Sequence, residues 1–515
     1  MVSHAFVCSQ VRVNASLAIN AFVECDCVPE RVVPVLPQLL ELLFALLKDV
    51  GSDEVVATLD TLIEKHGQQM APYAAQVVGA LCSSFLRIID ESDQGGDDDD
   101  DGTMAAMGIM QALVTMMEAV VSKPEVYAAV EAPLLPLLAR CCHQDCEDFF
   151  EEALEVLSYL TYYPPTISEG LFRIVPLLHE AFHTWARDYI NQILAPLDNY
   201  IHRATDTFLA AEGGAYVQMA LSLCRGTLVG EEALSMAESE VFGGPKLVES
   251  LLHNCRGRID ALLPELVAMI AMRLQIEGPE ESQPGLGLST LLYTALGSAF
   301  HYNPLLTLQI LEHRQCQLQM LTSWVKHLHE NPKLREHDLK VAMLSVAALL
   351  SLPTAAAPHA VASNRLLLVR QGVALQAKLA KERERKQAAE AEEEDDDDDD
   401  DDDGGEDGEL ADDVDGTDED ETATLRRLLN SDRHFNLDDF LKAGGHDDDD
   451  DLEEEEASPP PSHPSPRPLS PPPFCLSPSS PSPWPSSLLT RWVLLLTFAC
   501  SPLLPGLFLA ARRPR

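Results

Sequence analysis

Apolar residues at spacings of three and four recur in segment after segment of this chain, and that period constrains its fold more than any other feature. Val32, Val35, Leu36, Leu39, Leu40, Leu43, Phe44 and Leu47 would line one face of a helix. Val77, Val78, Leu81, Phe85, Leu86 and Ile89 repeat the pattern, as do Leu263, Leu266, Val267, Ile270 and Leu274. No run of alternating β-branched residues is closed by a two-residue Asn-Gly or Asp-Gly turn, so strands are not expected. Up to about Lys386 there is room for about 15 to 18 helices of ordinary length. Aromatics make up only 6% of the residues, so the core must come from Leu, Ala, Val, Ile and Met. The class this predicts is all-α.

A longer period underlies the short one. Many helices carry an early or internal proline followed by leucines: Pro34-Val35-Leu36, Pro72-Tyr73-Ala74, Pro133-Leu134-Leu135, Pro176-Leu177-Leu178, Pro196-Leu197-Asp198 and Pro264-Glu265-Leu266. Pro34 to Pro72 is a step of 38, Pro133 to Pro176 is 43, and Pro176 to Pro264 is 88, two steps of 44. The step of 61 from Pro72 to Pro133 is lengthened by an Asp-rich insert. Helix pairs repeating at roughly 40–47 residues predict a HEAT-repeat, ARM-like α-solenoid superhelix, in which stacked neighbours cover each other's apolar stripe. We assign this solenoid to residues 1–389, with an acidic loop insert at 90–102.

Charge marks where the repeats end. The chain holds 83 Asp and Glu against 36 Lys and Arg, a formal charge of −47. Between Glu390 and Glu456 stand 35 acidic and four basic residues, a net of −31. Such a balance argues against direct nucleic-acid binding, which needs a basic surface. Like charges at this density repel and cannot pack, so 390–456 is predicted to be disordered. An apolar island inside it (Leu425, Leu428, Leu429, Phe435, Leu437, Phe440 and Leu441) reads as a solvated stretch with a few apolar residues, the alternative being a short amphipathic helix that docks on a partner or folds back onto the solenoid. Residues 457–487 read as a Pro/Ser-rich linker in extended coil. The last segment, 488–515, is apolar from Leu488 to Ala511 for the length of a membrane span. Pro502 and Pro505 would break a helix there, which favours a nonhomologous extension over a tail anchor. Met1 to Val7 lacks the basic start of a secretory signal, and 12 Cys without a regular framework point to reduced thiols. The expected setting is intracellular.

Motifs for bond-making chemistry are missing from the sequence. There is no Walker loop, dinucleotide glycine fingerprint, nucleophile elbow or kinase set, so no catalytic residue, cofactor or enzyme activity is expected. Cys141-Cys142-His143-Gln144-Asp145-Cys146 has no second ligand pair at zinc spacing and is read as a helix junction, and Cys25-Asp26-Cys27 is read likewise. His313, His327, His329 and His337 are expected at the surface, and Gly243-Gly244 before Pro245 as a loop. The acidic runs have the clearest physical consequence, because dense anionic charge concentrates basic partners and speeds their encounter. The candidate cargo-binding residues are Asp97, Asp98, Asp99, Asp100 and Asp101; Asp395, Asp396, Asp397, Asp398, Asp399, Asp400, Asp401, Asp402 and Asp403; and Asp447, Asp448, Asp449, Asp450 and Asp451.

Several segments are also familiar in order and separation. They are Ala105-Ala106-Met107-Gly108-Ile109-Met110 after an acidic insert, Leu194-Ala195-Pro196-Leu197-Asp198-Asn199-Tyr200 running into Thr205-Asp206-Thr207, Cys255-Arg256-Gly257-Arg258-Ile259-Asp260 leading to Leu263-Pro264, and His301-Tyr302-Asn303-Pro304 leading to Leu311-Glu312. Together they resemble the C-terminal half of the importin-7/importin-8 branch of the importin-β karyopherins, over roughly Val11 to Glu456. The resemblance implies a HEAT-repeat nuclear transport receptor carrying basic cargo, such as ribosomal proteins and histones, past nucleoporin repeats. It also implies residence in cytoplasm and nucleus, including the nuclear envelope and pore, and cargo release by the Ran GTPase. The principal Ran-binding region of that family lies in N-terminal repeats, which this chain is expected to lack. The competing readings are a HEAT scaffold or an acidic chaperone for histones and ribosomal proteins that works without transport, and a tail-anchored membrane scaffold.

Overall fold

A computed structural model describes residues 32–50, 53–92, 100–230, 232–234, 236, 241–277 and 287–396, with scattered residues between 11 and 23. It divides into two units, Met1–His327 and Leu328–Arg515. The described residues are helix and connecting turn, with no strand among them.

In the first unit the helices are α1 (Leu36–Val50), α2 (Asp53–Met70), α3 (Ala74–Ser92), α4 (Asp100–Ala119), α5 (Tyr127–Cys141), α6 (Phe150–Tyr162), α7 (Ile174–Thr184), α8 (Ile190–Arg203), α9 (Ala215–Leu228), α10 (Gly243–Asn254), α11 (Leu263–Glu277), α12 (Leu288–Tyr302) and α13 (Pro304–His313). Then comes α14 (Gln317–Glu330), within which the division between units falls. Their packing follows chain order. The odd helices α1, α3, α5, α7, α9, α11 and α13 each touch the next odd one, and the even helices α2 to α12 do the same. Each odd helix up to α11 also packs on the even helix that follows it. Two layers of paired helices stacked in sequence make the HEAT-repeat α-solenoid that the proline step predicts.

The helices form where the period places them. On α2, Val55, Leu59, Leu62, Ile63, His66 and Met70 are buried along one face. On α3, Val77, Val78, Leu81, Phe85 and Ile89 are buried, and on α11 all five residues of the predicted stripe are. Each large apolar side chain so buried contributes at most about 1.5–3 kcal/mol. The α1 stripe is narrower than expected: Val32, Leu36, Leu40, Leu43 and Leu47 are buried, but Val35 is exposed. Val35 lies in a one-turn 3-10 helix, Val33–Val35, that precedes α1 and rotates it off the helical face.

Several of the prolines mark helix starts, while Pro133 and Pro196 lie inside α5 and α8. Pro34 and Pro72 sit in 3-10 turns just ahead of α1 and α3, and Pro304 opens α13 behind Asn303, whose side chain accepts from the Leu306 N–H at 3.1 Å. A missing N–H costs nothing in a first turn. Asp53–Glu91, which takes in α2 and most of α3, is long and apolar enough to cross a membrane. Its apolar stripes are instead buried among neighbouring helices.

One expectation is overturned. Gly243 and Gly244 are not a loop: with Pro245 they form the first turn of α10, buried on all sides. A Cβ on Gly243 would lie 2.7 Å from Ile190 Cγ1, and one on Gly244 would lie 2.5 Å from Thr227 Oγ1. The glycines let α10 approach α8 and α9 at a distance no other residue permits, and proline is tolerated in a first turn.

The second unit contains α15 (Glu336–Ser351) and the long α16 (Arg365–Asp396), which pack on each other. Arg335 and Asp338 cap α15 reciprocally: the Asp338 carboxylate accepts the Arg335 N–H at 3.1 Å and pairs with its guanidinium at 3.0 Å. Lys378 Nζ on α16 donates to three carbonyls, Leu328 and Asn331 at 2.8 Å and His329 at 3.1 Å. The helix α16 runs on to Asp396, through the start of the stretch read from its charge as disordered. The rest of 390–456, the 457–487 linker and the 488–515 segment lie outside the described residues.

Candidate protein-binding surface

The acidic candidates fall at helix ends. Asp100 and Asp101 are the first two residues of α4. Asp395 and Asp396 are the last two residues of α16. Asp97 to Asp99, Asp397 to Asp403 and Asp447 to Asp451 lie outside the described residues.

The even layer of the first unit carries a continuous set of polar side chains that the apolar period does not reveal. Asn199 Nδ2 on α8 donates to Thr161 Oγ1 on α6 at 3.1 Å. Arg203 donates to the Thr161 and Pro164 carbonyls at 2.7 and 2.6 Å, closing the C-terminal end of α6. Ser250 on α10 hydrogen-bonds to Asp198 on α8, and Asn254 Oδ1 meets His202 Nδ1 at 2.9 Å. His253 Nε2 reaches Ser298 Oγ on α12 at 3.0 Å. Arg256 meets His301 Nε2 at 2.9 Å and donates to the His301 carbonyl at 3.0 Å. Arg258 pairs with Asp206 at 2.6 Å. Partners in this ladder stand 38 to 52 residues apart. That is about one repeat, so each rung fixes the spacing of adjacent even helices. Burial pushes the Asp198 carboxyl up, against the lowering effect of the Ser250 hydrogen bond.

Negative charge gathers at the start of α6 as well. Glu147, Asp148 and Glu151 surround Tyr189, whose phenol is raised first by burial and then by those three carboxylates. Glu151 also accepts from Gln192 Nε2 on α8 at 3.0 Å. These acids were legible as the stretch Asp145 to Glu155, but isolated carboxylates draw less notice than runs of aspartate. The ladder groups are engaged with one another, Thr161, Ser250 and Ser298 being buried, while Glu147, Asp148 and Glu151 are exposed and make the start of α6 an anionic surface.

The cysteine cluster is a helix junction, as its sequence suggests. Cys141 ends α5, and Cys142 and Cys146 are buried beside it as free thiols. Arg140 Nη1 donates to Cys146 Sγ at 3.1 Å while pairing with Asp145 at 2.7 Å. Burial pushes the Cys142 thiol up to about 12, which keeps it protonated and unreactive. No group of three His, Cys, Asp or Glu able to hold a metal occurs among the described residues. His313 and His329 are exposed and His337 half-buried, while His327 lies half-buried against the Tyr293 ring, 4.6 Å between centroids.

Comparison with known proteins adds identity. No family model matches the chain. It is 35% identical over 356 residues to an importin beta-like SAD2 homolog of Arabidopsis thaliana, covering 68% of this chain and 34% of that protein. It is 28% identical to a probable importin-7 homolog of Dictyostelium discoideum, covering 66% of this chain and 31% of the relative. To human importin-8 it is 25% identical, covering 66% and 32%. The chain thus spans about a third of the length of the curated relatives it matches.

Proposed function

The chain fits membership of the importin-β superfamily, and from that premise we propose that it serves as part of a nuclear transport receptor that binds basic proteins. The cargo class we assign is ribosomal proteins and histones. Nucleoporin repeats and the Ran GTPase are partners of the whole receptor, which moves between cytoplasm and nucleus and through the pore. The observation that carries the reading is that one chain holds both a stacked two-layer helical repeat and a dense acidic segment whose sequence begins at the end of α16. A repeat array offers an extended surface for a large partner, and the acidic segment raises the local concentration of cationic ones. Binding by shape and charge breaks no bond.

The test is a pull-down of histone H1 at moderate salt by the full chain and by a variant with Asp395 to Asp403 all changed to Asn. Neutralisation is expected to weaken capture about tenfold, and added salt to abolish most of what remains. Undiminished capture by the variant would remove the acidic segment from the mechanism. Capture without accumulation at nuclear pores would turn the reading to a chaperone that works without transport.

A further inference from the structure

The helix α16 is apolar on two sides. Leu368, Gln371, Leu375 and Leu379 bury one face of it against α15. On the opposite side Leu366, Leu367 and Val373 stand 53, 48 and 43% exposed. Leu366 and Val373 are seven apart and share a stripe, with Arg370 between them and Lys381 about two turns further on. A surface helix ordinarily turns polar residues outward, and grouped large apolar ones mark a face that binds something. The cations of α16 fall into two sets. Lys378 and Arg365 donate to backbone carbonyls, Arg383 pairs with Glu336, and Arg385 pairs with Glu382. Arg370 and Lys381, both exposed, hold no hydrogen bond or ion pair among the described residues. The outward face is therefore apolar with unspent positive charge, and its complement is an apolar segment that carries carboxylates.

This chain supplies such a segment. Phe435, Leu437, Phe440 and Leu441 stand among Asp432, Asp438 and Asp439. Leu437, Phe440 and Leu441 have the three-and-four spacing of one helix face. The other half of the same apolar island, Leu425 to Leu429, encloses Arg426 and Arg427 and so has the wrong charge for Arg370. Residues 432–441 would make about 15 Å of helix, and Arg370 to Lys381 is about 16 Å along α16. The tether also fits. About 40 residues separate Asp396 from Phe435, and a coil of that length spans about 35 Å r.m.s.. The return from Asp396 to Val373 along α16 is about 35 Å as well. A linker whose r.m.s. length matches its span gives nearly the highest effective concentration it can, about millimolar.

We infer that residues 432–441 dock on the outward face of α16 in the same chain, their apolar side chains on Leu366, Leu367 and Val373 and their carboxylates toward Arg370 and Lys381. Docking ties both ends of the acidic stretch between Asp396 and Asp432 to one helix and holds its carboxylates beside α16. The inference does not depend on the proposed function, because the contact lies within the chain.

The test is limited chymotrypsin digestion of the full chain, with cleavage after Phe435, Leu437 and Phe440 followed by mass spectrometry. Leu366→Glu with Val373→Glu should speed those cleavages about tenfold, the loss expected when a contact of about 0.1 mM affinity is removed at millimolar effective concentration. Both positions are exposed, so the fold should hold, and far-UV circular dichroism checks it. If that variant fails to fold, Arg370→Glu carries the test, with an expected speeding of about threefold. A charge swap isolates the pairing. A chain with Asp438→Lys and Asp439→Lys should be cut fast, and adding Arg370→Glu to it should restore slow cleavage. Equal rates in the unaltered and the Leu366→Glu, Val373→Glu chains overturn the docking, as does a swap that restores nothing. Protection that rises with protein concentration assigns the face to a second copy and overturns it too.

Discussion

The helices α10 and α16 differ in a way that length and composition do not foretell. In α10 every residue from Gly243 to Leu252 is buried, Lys246, Glu249 and Ser250 included. It packs on α8, α9 and α12, so it has neighbours before and after it in the stack. The longer α16 buries Leu368, Gln371, Leu375 and Leu379 against α15, while Leu366, Leu367 and Val373 stay exposed. Past Ala380 its described side chains are charged ones at or near the surface, held by pairs such as Arg383 with Glu336 at 2.8 Å. In a repeat array an element draws stability from the interfaces on both sides of it. Position in the stack therefore outweighs the element's own amphipathicity.

The sharpest way to break this comparison is to add the same bulk to both helices. Gly244→Leu would drive a side chain into Thr227 and Leu228, which already lie 2.5 and 3.0 Å from a Cβ position. It is expected to cost about 3 kcal/mol or prevent folding. Ala377→Leu on α16, at an exposed position, should change stability by less than about 0.5 kcal/mol. Chemical denaturation of the two variants reads the difference directly, and similar losses would show that stacking does not protect α10 in the manner described.

How much of this was written in the sequence depends on the range over which each signal acts. The faces of α2, α3 and α11 were legible because a helix reports its buried side within about 10 residues. The proline step carried the repeat where proline sits in or just ahead of a first turn, as at Pro34, Pro72 and Pro264, although Pro133, counted in the same step, lies inside α5. The Gly243-Gly244 pair was misread because the same residues serve a loop and a tightly packed first turn, and only the positions of Ile190 and Thr227 separate the two. The polar ladder and the stacked tyrosines were not legible for a related reason. Tyr159 and Tyr163 share a helix face by spacing, but Tyr127 comes from another helix, and the packing between helices decides whether they meet.

A smaller effect separates the units by pH. On α7, burial and the neighbouring His183 ring, 4.5 Å away, hold His179 below the usual 6.5. The folded first unit therefore favours the neutral ring, and that contribution is present above pH 6.5 and lost as pH falls through the lowered value. Glu336 on α15 is also lowered: burial alone would raise it, but hydrogen bonds from Arg383 and Lys340 prevail. Its contribution is present above about pH 4.5 and is lost only on further acidification. Unfolding followed by hydrogen exchange should show the α7 region weakening between pH 7 and 5 while the α15–α16 pair holds. His179→Gln should flatten the first trend and leave the second. Weakening of both units over one pH range would mean that these two groups do not set the difference.

The smallest expected change concerns the far end of α16. Its last four residues are Glu393, Glu394, Asp395 and Asp396, and acidic residues in a last helical turn are unfavourable as a rule, because the carbonyl ends there carry partial negative charge. The helix persists there against its own electrostatics, on the strength of helix-forming Ala, Glu, Lys and Arg through the preceding turns. Changing Glu393 and Glu394 to Lys reverses the sign of the interaction and should stabilise that turn by about 0.3–1 kcal/mol at low salt. Slower amide exchange from about residue 385 onward would register it, with the denaturation midpoint of either unit unmoved. The gain should fade as salt is raised, because exposed charges are screened within about 10 Å at 0.1 M. If exchange is unchanged at low salt, the end of α16 is set by something other than its charge, and a cationic partner would then have no such lever there. If exchange slows, histone H1 bound to Asp395 and Asp396 should slow it too in the unaltered chain, since cations supplied in trans act on the same carboxylates.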